Sequence, residues 1–152
     1  GIRFGYRKED IIMVDQNCAY CVEGDLVAKF GIKICELETS KVYLFKEQSH
    51  PGRCIVAHKK HVGDMNELTA EERAAYFEDV ARVARAIMAA FHPDKVNYGA
   101  YGDTGHHLHF HLCPKYKDEF EWGGVFLMNP DKKYLTDAEY AEMIEKIKEH
   151  LQ

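Results

Sequence analysis

At 152 residues the chain is long enough for a single domain that buries roughly 68–70% of the surface its unfolded form would expose. Hydrophobic residues at 46% and charged residues at 30% describe an ordinary globular protein, with no apolar run of about eighteen residues to span a membrane and no signal-peptide core. The formal charge of −5 removes a general nucleic-acid binder from consideration: no overall field would gather a phosphate polymer, so any anionic ligand must be held by local groups.

In chain order, the first motif is CAYC, with Cys18 and Cys21. The remaining cysteines, Cys35, Cys54 and Cys113, make the total of five odd, and without a secretory signal this reads as a cytoplasmic protein with reduced thiols. Residues 26–37 and 41–46 are β-branched and aromatic runs around the polar turn Glu38-Thr39-Ser40, which predicts a hairpin. His50-Pro51-Gly52 breaks the chain, and residues 53–59 read as a third strand. Thr69 to Glu72 has the spacing of a capping box. After it Phe77, Val80, Ala84, Ile87 and Phe91 recur at three-and-four spacing until His92-Pro93, which predicts a helix. Residues 95–101 and 106–113 read as two more strands around Gly102-Asp103. Thr136 to Glu139 repeats the capping-box spacing and opens a closing helix with Tyr140, Ile144, Ile147 and Leu151 on one face. The order is α+β. Two loops, 114–124 and 129–135, are long enough to matter.

The stretch GHHLHFHLCPKY, residues 105–116, carries His106, His107, His109 and His111. Strand side chains alternate, so His107, His109 and His111 share one face and Leu108, Phe110 and Leu112 the other, with His106 on the apolar side. Neighbours on a face lie roughly 6.7 Å apart along the strand, so one metal ion takes at most two of the three, and three separate tasks are expected. A half-buried row of imidazoles is unfavourable unless partners or ligands satisfy it. Histidine suits attack at phosphorus: a neutral ring nitrogen is nucleophilic near neutral pH, an acceptor on the other nitrogen fixes the tautomer, and a second imidazole can serve the leaving group.

The run HLHFHL (107–112) followed by Pro114-Lys115-Tyr116 resembles the His-φ-His-φ-His-φ signature of the histidine triad (HIT) superfamily of nucleotide hydrolases and transferases. EQSHPGRCIVAHKKHV (47–62) and KVNYGAYGDTG (95–105) resemble further family segments in the same order and spacing, so the likeness covers roughly residues 35–117. It implies one HIT-like α+β domain over 1–152, built on an antiparallel sheet of about five strands with two main helices. It implies a nucleotide substrate and a homodimer. Residue by residue, it makes His109 the nucleophile, has His107 orient that ring through its backbone carbonyl, and brings His111 to the phosphate or leaving-group oxygen. A histidine at position 111 favours hydrolysis over nucleotidyl transfer. Asn97 and Thr104 match polar positions beside the phosphates, and Glu47 stands where a carboxylate holds the ribose hydroxyls.

Some positions depart from the family pattern. Asp103 replaces a phosphate donor and, ionised, can only accept, so it would repel substrate or need a cation. Arg53 reads either as a bidentate phosphate contact or as a rim salt bridge. Tyr43 and Phe45 read either as walls of a base pocket or as core. For CAYC, inert thiols, a redox pair and zinc all stand as readings, and the lack of a surrounding βαβ pattern removes a thioredoxin-like role. The resemblance implies a structural zinc on Cys18, Cys21, His61 and His107, a Cys₂His₂ set with tetrahedral closure. The function expected is nucleotidyl hydrolysis through a phosphohistidine, with a regulatory nucleotide binder of little turnover, or a metal site using His-x-His alone, as alternatives.

Overall fold

The structure, a computed structural model, describes residues 16–151; the remaining residues of the expected 1–152 domain lie outside that range. Two single-turn helices, α1 (Ala19–Val22) and α2 (Asp25–Ala28), lead into a sheet of β1 (Gly31–Glu36), β2 (Ser40–Phe45), β3 (Cys54–His58), β4 (Lys95–Gly99) and β5 (His109–Lys115). A long helix α3 (Ala70–Phe91) connects β3 to β4, and α4 (Asp137–Glu149) closes the chain. All strand pairs are antiparallel in the order β1-β2-β3-β5-β4, which is the α+β architecture with five strands and two main helices expected from the sequence.

Alternation along the strands gives the sheet two unlike faces. Val42, Leu44, Cys54, Val56, Leu108 and Leu112 point to the side covered by α3 and α4, where Tyr76, Val80, Val83, Ile87, Tyr140 and Ile147 meet them. Tyr43, Phe45, Ile55 and Ala57 point the other way and form a smaller cluster with Tyr20 of α1 and Val27 of α2. The second face carries the three histidines.

Both capping boxes form. Thr69 Oγ1 accepts from the Glu72 amide while Glu72 returns a bond to the Thr69 amide, and Thr136 and Glu139 do the same for α4. Thr69→Ala is therefore expected to lower stability by about 1 kcal/mol, read as a shift in the urea midpoint at constant slope. His92 ends α3 in the left-handed region at φ 54°, just before Pro93.

Some sequence expectations change, mostly at element boundaries. The first strand begins at Gly31 and not at residue 26, because Asp25–Ala28 forms a helical turn that buries Val27 beside Tyr20. The strand expected over 95–101 ends at Gly99. The triad strand is His109–Lys115 and not 106–113: the His107 amide turns back to Gly105, and the Leu108 amide and carbonyl bond Val62 and His58 outside the regular ladder. It then continues through Pro114 opposite Val96. On α3, Phe77 is 36% exposed, and Tyr76 and Val83 fill the core in its place. Tyr76 also donates to the Val56 carbonyl at 2.7 Å. Its neighbour Asp79, buried, accepts from the Thr39 amide and from the hydroxyls of Thr39 and Ser40, which fastens the β1–β2 turn to the helix.

Candidate active site

His107, His109 and His111 are all buried on the second sheet face. The Nδ1–H of His109 donates to the His107 carbonyl at 2.6 Å; a carbonyl can only accept, so the proton is on Nδ1 and the Nε2 lone pair is free. Burial pushes the His109 pKa below its ordinary value, against the opposing effect of that carbonyl, so the ring is a neutral base at neutral pH. Tyr20 lies against it with ring centroids 5.0 Å apart, and His111 is 5.4 Å away on the other side.

His111 has the opposite tautomer. Arg53, the residue before β3, donates from Nη2 to His111 Nδ1 at 3.0 Å, and a guanidinium has no acceptor, so the His111 proton sits on Nε2. Burial, then the Arg53 charge, push the His111 pKa down to about 2. One ring thus presents a lone pair and its neighbour an N–H donor.

His107 turns its side chain to a different set. Its Nε2–H donates to the His58 carbonyl at 2.6 Å, which leaves the Nδ1 lone pair directed at Cys18 Sγ (3.3 Å), Cys21 Sγ (3.6 Å) and His61 Nδ1 (3.0 Å). The four ligand atoms lie within 4.8 Å of one another. A tetrahedral ion bound at about 2.0–2.3 Å requires ligand-to-ligand edges of about 3.3–3.8 Å, so the set needs little adjustment. The carbonyl on the far nitrogen is the support that orients a ligating imidazole.

A HIT domain pattern matches residues 31–118. The chain belongs to the HIT family. It is 28% identical over 116 residues to an adenosine 5′-monophosphoramidase of Schizosaccharomyces pombe, covering 70% of this chain and 80% of that relative. A crystal structure of a histidine triad protein from Sinorhizobium meliloti superposes with a TM-score of 0.77 at 21% identity, over 84% of this chain and 94% of that one. A Zn-bound histidine triad family protein from Mycobacterium smegmatis does so at 0.63 and 22%, over 88% and 92%. At these identities the two structures are likenesses of fold.

The other expected residues of this HIT protein fall into different places. Asn97 is half-buried opposite Cys113 in the β4–β5 ladder, which puts it on the histidine face. Asp103 and Thr104 are exposed in the loop before the triad, which passes His109 at Gly105, where a side chain would begin 3.7 Å from the His109 ring. Glu47 is buried, and its oxygens accept from the Ser49 amide and hydroxyl and from the amides of Lys132 and Lys133, so it fastens the 129–135 loop to the end of β2. Arg53 is fully buried and is neither a rim salt bridge nor open to solvent. Its guanidinium lies 4.2 Å from the Phe45 ring and 4.9 Å from the Phe126 ring, and it donates to the carbonyls of Leu127 and Met128. Tyr43 belongs to the buried cluster, its hydroxyl donating to Glu23 at 2.6 Å. His106 is exposed, with its ring over Gly63.

Sequence reading missed Tyr20 and the segment 121–128. Tyr20 sits inside the cysteine motif and touches both His107 and His109. The segment crosses the His111 end of the site, with Phe126 6.3 Å from the His111 ring. It is held by Lys115, which donates to the Glu121 and Gly124 carbonyls, and by His50 against Glu121 at 2.7 Å. The long unassigned loop after Pro114 was the only signal for it.

Proposed function

We propose that this HIT protein is a nucleotidyl hydrolase that splits a dinucleoside polyphosphate, nucleotide conjugate or phosphoramidate at the α-phosphorus in two displacements. The observation that carries the reading is the bond from His109 Nδ1 to the His107 carbonyl, which leaves a neutral, fixed ring with Nε2 free. In the first displacement Nε2 bonds to phosphorus and the bond to the leaving group breaks, its electron pair departing with that group. The Nδ1–H stays in place, so the charge on the phosphohistidine is met by the His107 carbonyl. In the second, water attacks phosphorus, the P–N pair returns to Nε2, and the spare proton passes to solvent. Asn97, Asp103 and Thr104 flank the phosphates, and His111 offers its Nε2–H to the transferring group. The phosphoramidase relative supports this class of chemistry.

Zinc belongs to the proposal as a structural ion on Cys18, Cys21, His61 and His107, supported by the ligand spacing and by the Zn-bound relative. When bound it supplies a cross-link and no chemistry at phosphorus. His107 serves both sites with different atoms, Nδ1 toward the ion and its carbonyl toward His109. We further infer a cytoplasmic homodimer. Among the described residues no helix is long and apolar enough to cross a membrane, and no strand pairs with the outer edge of β4.

A panel of nucleotide anhydrides, esters and amidates assayed with the purified protein tests the reading. Turnover of at least one class is expected, with His111→Ala reducing kcat/KM by at least about tenfold and His106→Ala leaving it within about twofold. Tight nucleotide binding without turnover would favour the regulatory reading, and a larger effect of His106→Ala than of His111→Ala would contradict the assignment of faces.

A further inference from the structure

Arg53 is a buried cation with a single side-chain nitrogen partner, His111, and among the described residues no carboxylate forms an ion pair with it. The two terminal nitrogens of its fork are directed, Nη1 to the Leu127 carbonyl at 3.1 Å and Nη2 to the Met128 carbonyl at 2.9 Å and to His111 Nδ1 at 3.0 Å, while Nε is buried without a hydrogen-bond partner among the described residues. The Phe45 and Phe126 rings close its two faces. A charge held this way, out of water and without a counter-ion, acts on whatever lies next to it with little screening.

We propose that Arg53 is a positioning residue that holds His111 as a neutral Nε2–H donor, so that the leaving group departs without a proton from this histidine. The inference rests on His109 as nucleophile. Protonating His111 would require its Nδ1 to give up the Arg53 bond and place a second cation beside the first. The groups around this ring reinforce that: Arg53 precedes β3, His109 is on β5, Phe45 on β2 and Phe126 on the crossing segment, while the carboxylates whose charge reaches Arg53, Glu47 and Glu121, are committed to backbone amides and to His50. The depressed His111 pKa agrees with this arrangement.

The consequence falls on the bond that breaks. When Nε2 of His109 attacks a phosphoric anhydride, the P–O pair leaves on a phosphate oxygen that is stable as an anion; the His111 N–H hydrogen-bonds to it and keeps its proton. When the leaving atom is an amine nitrogen, the departing pair must be met by a proton, and a neutral His111 could transfer its Nε2 proton only by becoming an imidazolate, because Nδ1 is held by Arg53 and is not protonated. The site therefore favours substrates whose leaving group is a phosphate over substrates whose leaving group is an amine.

Two measurements test this, with diadenosine tetraphosphate and adenosine 5′-phosphoramidate as probes. Wild-type protein is expected to prefer the anhydride in kcat/KM by at least about tenfold throughout about pH 5 to pH 8. In ¹⁵N-labelled protein His111 is expected to stay neutral, with Nε2 protonated, across that range. Arg53→Gln should let His111 titrate within the range and narrow the preference, and Arg53→Lys should restore both at least in part. Preference for the amidate, or a wild-type His111 that takes up a proton between about pH 5 and pH 8, would overturn the inference even if Arg53→Gln does not fold. Full activity in folded His109→Ala would instead remove the reading on which it rests.

Discussion

His109→Ala is expected to lower turnover by about two to four orders of magnitude while the protein stays folded. The ring is the one imidazole of the site with an unengaged lone pair on a nitrogen whose partner nitrogen is fixed by a carbonyl. Alanine removes that nitrogen and leaves no substitute: the Nδ1 of His111 is held by Arg53 and that of His107 faces the cysteines. The structural penalty is smaller. The His107 carbonyl loses a donor and Tyr20 loses a stacking partner, a change of about 1–3 kcal/mol against a domain stability of about 5–15 kcal/mol. Steady-state kinetics beside a thermal melt separate the two effects. Activity within about tenfold of wild type in folded protein would be incompatible with a histidine nucleophile at this position.

Loss of the cysteine–histidine site is expected to have the largest effect on stability. Cys18→Ser or Cys21→Ser, or treatment with a chelator, removes links that run from position 18 to position 107 and from 21 to 61. An ion that binds the folded chain alone contributes about 4 kcal/mol when free metal is a thousandfold above its Kd, or about 8–16 °C in Tm for a chain of this length. The effect on rate per folded molecule should be smaller, because the proposed ligand atom is His107 Nδ1 while the bond to His109 is made by its carbonyl. Elemental analysis should find about one zinc per chain, lost in either variant. A chain without zinc whose melt is unmoved by chelator or by Cys18→Ser would remove the metal site and leave the triad untouched.

Much of the site was legible because it follows a local rule. Period-two alternation alone put His107, His109 and His111 on one face and Leu108 and Leu112 in the core, and three-and-four spacing with capping boxes located α3 and α4. The convergence of Cys18, Cys21, His61 and His107 was legible only through resemblance, since they are brought together by the fold across 40 to 89 positions of sequence. Of the two readings of Arg53, the rim salt bridge falls because its burial depends on Phe126 and on carbonyls 74 and 75 residues later, which no local pattern announces. Tyr20 and the turn at 25–28 escaped notice because one-turn helices are too short for a helical period to show. The contacts of Glu47 with the amides of Lys132 and Lys133 were not legible either, because they are made 85 and 86 positions away.

The covalent step itself is open to direct observation. Protein mixed with a hydrolysable dinucleoside polyphosphate, quenched at high pH where phosphohistidine survives, and digested for mass spectrometry should yield a nucleotidyl adduct on the peptide that contains His109, and substrates chiral at the α-phosphorus should give products with retained configuration. Inversion at phosphorus, with no adduct on His109 during turnover, would contradict the double displacement.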